Sequence, residues 1–309
     1  MSFKSILLGA SLYFVFFQSG HTQDNPIPKS MKKSLNVLQT SVPFLTIAAD
    51  SRAGAMGDLG AATTPDVNSQ QWNAAKYPFI DGKFGVSIAY TPWLTKLVRD
   101  INLVYLSAFY KFDDNQVLSG SLRYFSIGEM IFRDEVGTKI GEYHPNEFAV
   151  DAAYSRIFSD RISGALTLRY IRSDITGGGT IGIQQYSAGN SFAADLSTYY
   201  HTPLQLGEQK AEFAWGLSIS NLGTKISYTE GSDKLFIPTN LRLGARLTVE
   251  LDDYNSLTGA FDLNKLLVPT PQKLYLDPET GDSIYYGKPE PSSVPMSWIQ
   301  SFYDAPGGF

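Results

Sequence analysis

The chain has 309 residues, of which 43% are apolar and 18% charged, and its net charge is −5. The acidic balance and the singly scattered Lys and Arg residues exclude a nucleic-acid-binding surface, which needs a basic patch. The absence of cysteine excludes disulfides, thiolate zinc sites and a cysteine nucleophile. With 18 Tyr and 19 Phe residues the aromatic content is unusually high, so the fold class should account for where these side chains lie.

The start of the chain is predicted to be a cleavable signal peptide, covering residues 1–22. A short basic stretch, "MSFK", precedes the apolar run "SILLGASLYFVFF" and the small residues of "QSGHTQ". The run is shorter than the roughly 20 residues of a transmembrane helix, and no later window of 18 apolar residues occurs. We therefore expect an exported protein whose membrane-embedded part, if it has one, is made of strands.

Next comes a segment, residues 23–82, that is predicted to lie in the periplasm or in the lumen of a barrel. It contains the glycine-rich stretch "SRAGAMGDLGAATTPDVNSQQWNAAK" at 51–76. Gly54, Gly57 and Gly60 recur at spacing three, which matches neither a dinucleotide-binding fingerprint nor a P-loop. We interpret these small residues as allowing the backbone to pack closely against a barrel wall or to pass through its lumen.

From residue 83 onward the sequence alternates between apolar and polar residues in segments of the length that a tilted membrane strand requires. In "SGALTLRY", for example, Leu166 and Leu168 point one way while Thr167 and Arg169 point the other. The predicted strands are 83–91, 101–112, 116–127, 146–157, 162–174, 191–203, 211–222, 239–251 and 255–268. The fold class is therefore all-β, a transmembrane antiparallel β-barrel over residues 83–309.

The connections between these strands alternate between short polar turns and long loops. This alternation is typical of outer-membrane barrels, with short periplasmic turns and long extracellular loops. Aromatic residues near strand ends fit interfacial girdles, although ordinary sheet propensity also favours them. These aromatic residues are Tyr90, Trp93, Tyr105, Tyr110, Phe112, Tyr124, Tyr154, Phe158 and Tyr170. Bacterial single-chain barrels have an even number of strands, so we expect further strands beyond Phe309 and read the ending "SFYDAPGGF" as a loop.

The sequence contains no strong catalytic or metal motif. Its three histidines are isolated, so their spacing does not indicate a metal site. His201 with a serine on a neighbouring strand leaves a serine hydrolase open, but nothing selects the serine. The acidic turn "DPETGD" lacks the EF-hand pattern and is interpreted as a solvated turn. We expect no catalytic residue, no cofactor and no metal.

Five long segments carry a family resemblance: the glycine-rich stretch, "YTPWLTKLVRDINLVYLSAFYKF", "SLRYFSIGEM", "PNEFAVDAAYSRIFSD" and "LRYIRSDI". They resemble the PorV family of type IX secretion system outer-membrane proteins, and the resemblance runs from about Ala48 to the last residue. One departure is that Ala74 follows Trp72-Asn73 where the family usually has proline, so the sequence does not impose a bend there. The ending also resembles a family segment that further strands follow.

The resemblance implies a FadL-like barrel of about fourteen strands with an N-terminal segment in its lumen. It also implies a non-enzymatic shuttle in contact with outer-membrane lipid. Such a shuttle binds secreted cargo through the cargo's C-terminal signal domain at the translocon and delivers it to a surface attachment complex. Candidate binding residues in the N-terminal segment are Arg52, Gly54, Met56, Gly57, Asp58, Gly60, Trp72 and Asn73. Candidate cargo-facing loop residues are Trp93, Phe132, Tyr186 and Tyr285.

Two alternatives to the shuttle remain open at this point. The FadL-like architecture suits a transporter that passes hydrophobic molecules through the barrel. An outer-membrane enzyme acting on lipid or lipopolysaccharide is the other alternative, because PorV-like proteins have been connected with lipid A deacylation.

Overall fold

The computed structural model describes residues 38–93, 96, 100–133, 136–175, 180–181, 184–185, 187–229, 234–276, 283–291 and 293–304. The predicted signal peptide and the acidic turn at 277–282 lie outside these residues.

Nine long strands form one antiparallel sheet, and each strand pairs with the next one along the chain. The strands are β1 (Phe84–Pro92), β2 (Asn102–Asp113), β3 (Gln116–Ser126), β4 (Asn146–Ser159), β5 (Ile162–Asp174), β6 (Gly189–Leu206), β7 (Gln209–Gly223), β8 (Asn240–Glu250) and β9 (Ser256–Leu266). The nine predicted strands are confirmed, and their ends agree within three residues. Among the described residues, β1 and β9 are not paired with each other, so the sheet has two edges.

The predicted alternation of connections is present in the structure. Short turns of two to five residues follow β2, β4, β6 and β8, and long connections follow the odd-numbered strands. Some long connections carry small hairpins, formed by Met130–Arg133 with Lys139–Tyr143, Thr180–Ile181 with Gln184–Gln185, and Lys273–Leu276 with Ser283–Tyr286. All long connections therefore leave the sheet at one end and all short turns at the other.

The sheet places its apolar side chains outward and its polar side chains inward. On β5, Leu166 is 46% and Leu168 62% exposed, whereas Thr167 and Arg169 are buried. The same alternation on β8 exposes Leu243 and buries Arg246. This is the reverse of a water-soluble protein, whose sheets bury the apolar face and expose the polar one.

Most of the predicted girdle residues lie on the outer face, but the prediction is wrong for Tyr105. Its side chain is only 1% exposed and points to the inner face of β2, where it packs with Leu103 and Ala49. Tyr110 and Phe112 on the same strand are exposed and contact each other edge to face, as an outer aromatic pair does. Tyr105 therefore belongs to the core rather than to an interface.

The inner face of the sheet is covered by residues 41–80, which we call the inner segment. It contains 3-10 turns at Pro43–Thr46 and Ala74–Phe79 and two short helices, α1 (Ser51–Ala55) and α2 (Ser69–Trp72). A third helix, α3 (Val294–Gln300), follows the last hairpin and directly precedes the ending that the sequence predicts to be a loop. The helices in the described part of the chain are all too short and too polar to serve as membrane spans.

Candidate functional site in the inner segment

Asp50 and Trp72 join the two short helices of the inner segment. One Asp50 carboxylate oxygen accepts a hydrogen bond of 2.8 Å from the backbone N–H of Ala53, which caps α1. The other accepts a bond of 2.7 Å from Trp72 Nε1. Both side chains are buried, so this carboxylate fixes the position of α1 relative to α2.

Arg52, a predicted site residue, connects the beginning of the glycine-rich stretch, residues 51–76, to its middle. Its guanidinium forms an ion pair with Asp66 and donates to the Thr64 carbonyl at 3.1 Å. The Arg52 side chain is 42% exposed, so solvent weakens the pair and it contributes little to stability. Arg52 therefore makes a local contact at the surface of the inner segment.

The three predicted glycines differ in their surroundings, and close packing applies to only one of them. A Cβ on Gly60 would lie 2.4 Å from the Trp72 ring, so no larger residue fits there. Gly57 has φ +75, which favours glycine, and open space surrounds it. Gly54 has open space and an ordinary φ. Met56, which lies between Gly54 and Gly57, is partly exposed.

Asp58 and Gly60 attach the inner segment to the last two strands. Asp262 on β9 accepts hydrogen bonds from the backbone N–H groups of Gly60, at 2.8 Å, and Ala61, at 3.1 Å. Arg242 on β8 donates to Asp262 at 3.0 Å and to the Asp58 carbonyl at 2.7 Å. The Arg242 guanidinium also lies 4.7 Å from the centre of the Trp72 ring, a cation–π distance.

Two glycines on the sheet allow the inner segment to approach the strands closely. A Cβ on Gly216 of β7 would lie 1.9 Å from the Ala61 carbonyl oxygen. A Cβ on Gly244 of β8 would lie 1.9 Å from an Asp262 oxygen and 2.9 Å from the Ala61 Cβ. We call this pair, with Ala61 between them, the glycine seam. The predicted close backbone packing is thus present, with glycines of the wall contributing most of it.

Asn73 fixes a turn of the chain just before Ala74, where the sequence alone imposes no bend. Its side-chain oxygen accepts from Ala75 N at 3.0 Å and caps the 3-10 turn that begins at Ala74. Its side-chain nitrogen donates to the Ala61 carbonyl at 2.9 Å and to the Thr198 carbonyl on β6 at 3.0 Å. The buried amide is fully used, so the chain turns here without a proline.

Lys76 is fully buried in the inner segment and has an unusual environment for a cation. Its Nζ donates to Thr63 Oγ1 at 2.9 Å. Burial lowers the pKa of Lys76 to about 8, although the charge of Asp66 acts in the opposite direction. Burial also raises the pKa of the neighbouring Tyr77 phenol well above its usual value. Sequence analysis missed both residues, because nothing in the local pattern marks them as buried.

A buried charged cluster lies on the sheet beneath the inner segment. Arg169 on β5 forms ion pairs with Asp151 on β4, at 3.2 Å, and Asp195 on β6, at 2.8 Å. It also donates to Asn221 on β7 at 2.5 Å, and the Asn221 backbone N–H donates to Asp195 at 2.7 Å. All four residues are buried, and the cluster joins four adjacent strands.

Gln70 on α2 connects the inner segment to this cluster. Its side-chain nitrogen donates to Asp151 at 2.7 Å, and its side-chain oxygen accepts from Ser119 on β3 at 2.7 Å. The Gln70 backbone N–H donates to the Tyr77 hydroxyl at 3.0 Å. Sequence reasoning also missed Gln70, since a glutamine in a polar stretch carries no signal of burial.

A cavity of about 750 Å³ lies between the inner segment and β1. Its wall is formed by residues 46–51 with Gly54 and Asp58 on one side and by residues 88–93 on the other. A little over half of these residues are apolar, Trp93 among them. Because β1 is an edge strand among the described residues, the cavity lies beside an edge of the sheet.

His201 is not arranged for serine hydrolysis. Its Nε2 is buried and has no hydrogen-bond partner, so no described serine hydroxyl is activated by it. Ser163, on the neighbouring strand β5, donates its hydroxyl to the Ala75 carbonyl instead. His201 Nδ1 lies 3.9 Å from Glu212, and its ring contacts Phe79. In the part of the chain that the structure describes, no three His, Asp or Glu residues converge to bind a metal ion.

The four predicted cargo-facing residues lie on different long connections. Trp93 follows β1, is 37% exposed and donates its backbone N–H to Ile101 at 2.9 Å. Tyr285 lies in the last hairpin and is 64% exposed. Phe132 lies in the first hairpin, but its side chain is outside the described residues, as is all of Tyr186.

The fold defines an all-β protein with one large antiparallel sheet, whose polar face is covered by an inner segment. The family model "Type IX secretion system protein PorV" matches residues 30–273, and the chain belongs to this family. A search of curated proteins gives no match to the chain. The resemblance drawn from the sequence is therefore confirmed, and the family is one of secretion-system components rather than of enzymes.

Proposed function

We propose that this protein works in the outer membrane as the cargo shuttle of a type IX secretion system. It binds secreted proteins through their C-terminal signal domain at the translocon and hands them to the surface attachment complex. The observation that carries this proposal is the PorV family match over residues 30–273, which gives the secretion class. In this proposal the protein acts by binding its cargo, and no catalytic step is assigned to the chain.

The distribution of side chains supports a place in a membrane. An outer face with exposed residues such as Leu168, Leu243 and Phe261 is costly in water and favourable against lipid. We propose that the sheet is part of a FadL-like barrel over residues 83–309, with residues 23–82 in its lumen and residues 1–22 removed on export. The long connections then face the cell exterior.

The long connections supply the cargo-binding rim in this proposal, through Trp93, Phe132, Tyr186 and Tyr285. Aromatic side chains bind partner proteins well because they bury a large area at a low cost in conformational entropy. The described members, Trp93 and Tyr285, keep much of their surface open. The predicted binding residues of the inner segment, by contrast, have mostly intramolecular partners, which supports a structural role for them.

The test is a deletion strain. Without the gene, cargo that carries the C-terminal signal should accumulate in the periplasm, and its display at the cell surface should return with a plasmid copy. Normal surface display in the deletion strain would contradict the proposal. Tyr285→Ala should reduce the cargo that co-purifies with the protein. Tyr254→Ala is the matched control, because Tyr254 is 96% exposed but lies in the short turn after β8, at the opposite end.

A second function, transport of hydrophobic molecules, is favoured by one observation. The cavity beside β1 has the volume of a small-ligand site and a mainly apolar wall. Uptake of a labelled fatty acid should then fall in the deletion strain while surface display of cargo stays normal. The two functions are separated by which of these readouts changes.

A further inference from the structure

The inner segment touches the sheet at every strand. The contacts above join it to β3 and β4 through Gln70, to β6 through Asn73, and to β7, β8 and β9 around Ala61. The first two strands are joined by Thr91, whose hydroxyl donates to the Ala49 carbonyl at 3.3 Å, and by the Ser107 hydroxyl, which donates to Asn68.

Two serines on neighbouring strands complete these contacts. Ser155 on β4 donates to the Ala74 carbonyl at 2.9 Å, and Ser163 on β5 donates to the Ala75 carbonyl. Both hydroxyls are fully buried, so each is shielded from solvent while the inner segment stays in place. Removing the segment would leave these hydroxyls and the strand groups around them without partners, which costs free energy for each buried polar group.

The glycine seam makes the attachment specific. Gly216 and Gly244 leave room for the Ala61 backbone, and no side chain on the sheet could fill that space without colliding with Ala61 or Asp262. Arg246 on β8 adds a hydrogen bond of 3.0 Å to the Ala62 carbonyl. The inner face of the sheet is thus complementary in shape to the inner segment. If the inner segment left the sheet, it would open a groove lined by unpaired polar groups.

We propose that the inner segment, residues 41–80, is a fixed core on which the nine strands are assembled, and that it stays in place while the protein works. In terms of the proposed function, on which this inference rests, cargo does not pass through the interior of the sheet. It is held outside, at the rim formed by the long connections. The inner segment is accordingly a structural element and not a removable plug.

Residues 1–309 contain no cysteine, so thiol labelling gives a direct test. Ser155→Cys and Ser163→Cys each place one thiol beneath the inner segment with little change in volume. Ser187→Cys is the matched positive control, because Ser187 is exposed on a long connection. A small maleimide is added to cells that are secreting cargo and to cells in which secretion is blocked, and a denatured sample shows that each thiol can react.

The expected result is that both buried thiols react at least about 100-fold more slowly than the Ser187→Cys thiol, equally in secreting and in blocked cells. Reaction that becomes fast only during secretion would overturn the proposal, since it would show that the inner segment leaves the sheet. Fast reaction in both states would overturn it as well. The failure of the shuttle function is seen separately, as normal surface display of cargo in the deletion strain, and leaves the labelling result intact.

Discussion

The indole N–H of Trp72 donates a 2.7 Å hydrogen bond to the buried carboxylate of Asp50, 22 residues earlier in the chain. The same carboxylate caps α1 through Ala53. Above the Trp72 ring lies Arg242, which is paired with Asp262. One carboxylate thus links the first helix of the inner segment, by way of a tryptophan, to the last two strands of the sheet.

Replacing Asp50 by alanine should therefore destabilise the protein. The change removes a helix cap, worth about 1 kcal/mol, and leaves the buried Trp72 N–H without a partner, which costs about 1–3 kcal/mol. Urea unfolding of the purified protein in detergent measures the free energy of unfolding. Ser51→Ala, at the exposed first position of α1, is the control and should stay near wild type. Equal stability of both variants would show that the carboxylate has no such role.

The glycine seam gives a second prediction on stability. Gly244→Ala would place a methyl group 1.9 Å from Asp262, and Gly216→Ala would place one 1.9 Å from the Ala61 carbonyl. The backbone carbonyl cannot rotate away, so Gly216→Ala should have the larger effect, lowering the yield of folded protein in the outer membrane. Gly259→Ala on β9 is the control, since no atom lies within 4 Å of the added methyl group. Similar yields for all three variants would contradict the close approach.

The sequence predicted the strands well because their two faces differ so clearly in polarity. The alternation around Leu168 and Arg169 directly indicates the two faces of β5. The short turns indicate which consecutive strands pair as neighbours. The pairing of Arg169 with Asp151 does not follow from the turn after β4 alone, because the register shifts by one residue between Ile157 and Ser159. Without that shift, a turn that pairs Ser159 with Ile162 would place Tyr170 opposite Asp151, on the outer face.

The contents of the inner face could not be predicted in the same way. Tyr105 and Gln70 are buried because a remote segment covers them, and no local pattern records that contact. The sequence does not distinguish Gly60 from Gly216, yet Gly60 faces the Trp72 ring and Gly216 faces the Ala61 carbonyl oxygen. Helix α3 begins at Val294-Pro295, where proline suits a first turn, but its seven residues are too few to show a helical period.

The buried cluster around Arg169 should be essential for assembly. Arg169→Leu leaves the carboxylates of Asp151 and Asp195 buried without their cation, and breaking a buried ion pair in this way costs about 3–5 kcal/mol. The variant should be degraded before it reaches the outer membrane, which quantitative blotting of membrane fractions can show. Arg172→Leu is the matched control, because that side chain is 42% exposed and 3.9 Å from its partner Asp174. Normal levels of the Arg169 variant would disprove the role of the cluster.

Lys76 predicts a pH dependence with a defined sign. Its pKa is about 8 in the folded protein and 10.5 for an ordinary lysine, so between these values the unfolded chain binds more protons than the folded one. The free energy of unfolding should therefore rise as pH increases from about 8 toward 10. Lys76→Met should remove this rise and stabilise the protein at neutral pH, where wild type must bury a charge.

Urea unfolding at several pH values between about 7 and 9 measures this effect, in a range where most tyrosines of the unfolded chain are still protonated. Lys210→Met is the control, because Lys210 is exposed at the turn after β6. A Lys76→Met variant that keeps the wild-type pH profile would show that another group causes it.

The outer face of the sheet gives the last prediction. Leu168 lies in the middle of β5 and is 62% exposed on the face that we assign to lipid. Leu168→Arg should lower the stability of the membrane-inserted protein by about 2–4 kcal/mol, because a cation at that depth loses its hydration. Folding into lipid vesicles, followed by the mobility shift between boiled and unboiled samples, measures the folded fraction.

Leu168→Phe keeps the apolar character and should fold normally. Tyr254→Arg adds the same charge in an exposed turn and should also be tolerated. If Leu168→Arg inserts as well as these two controls, the apolar face is covered by something other than lipid.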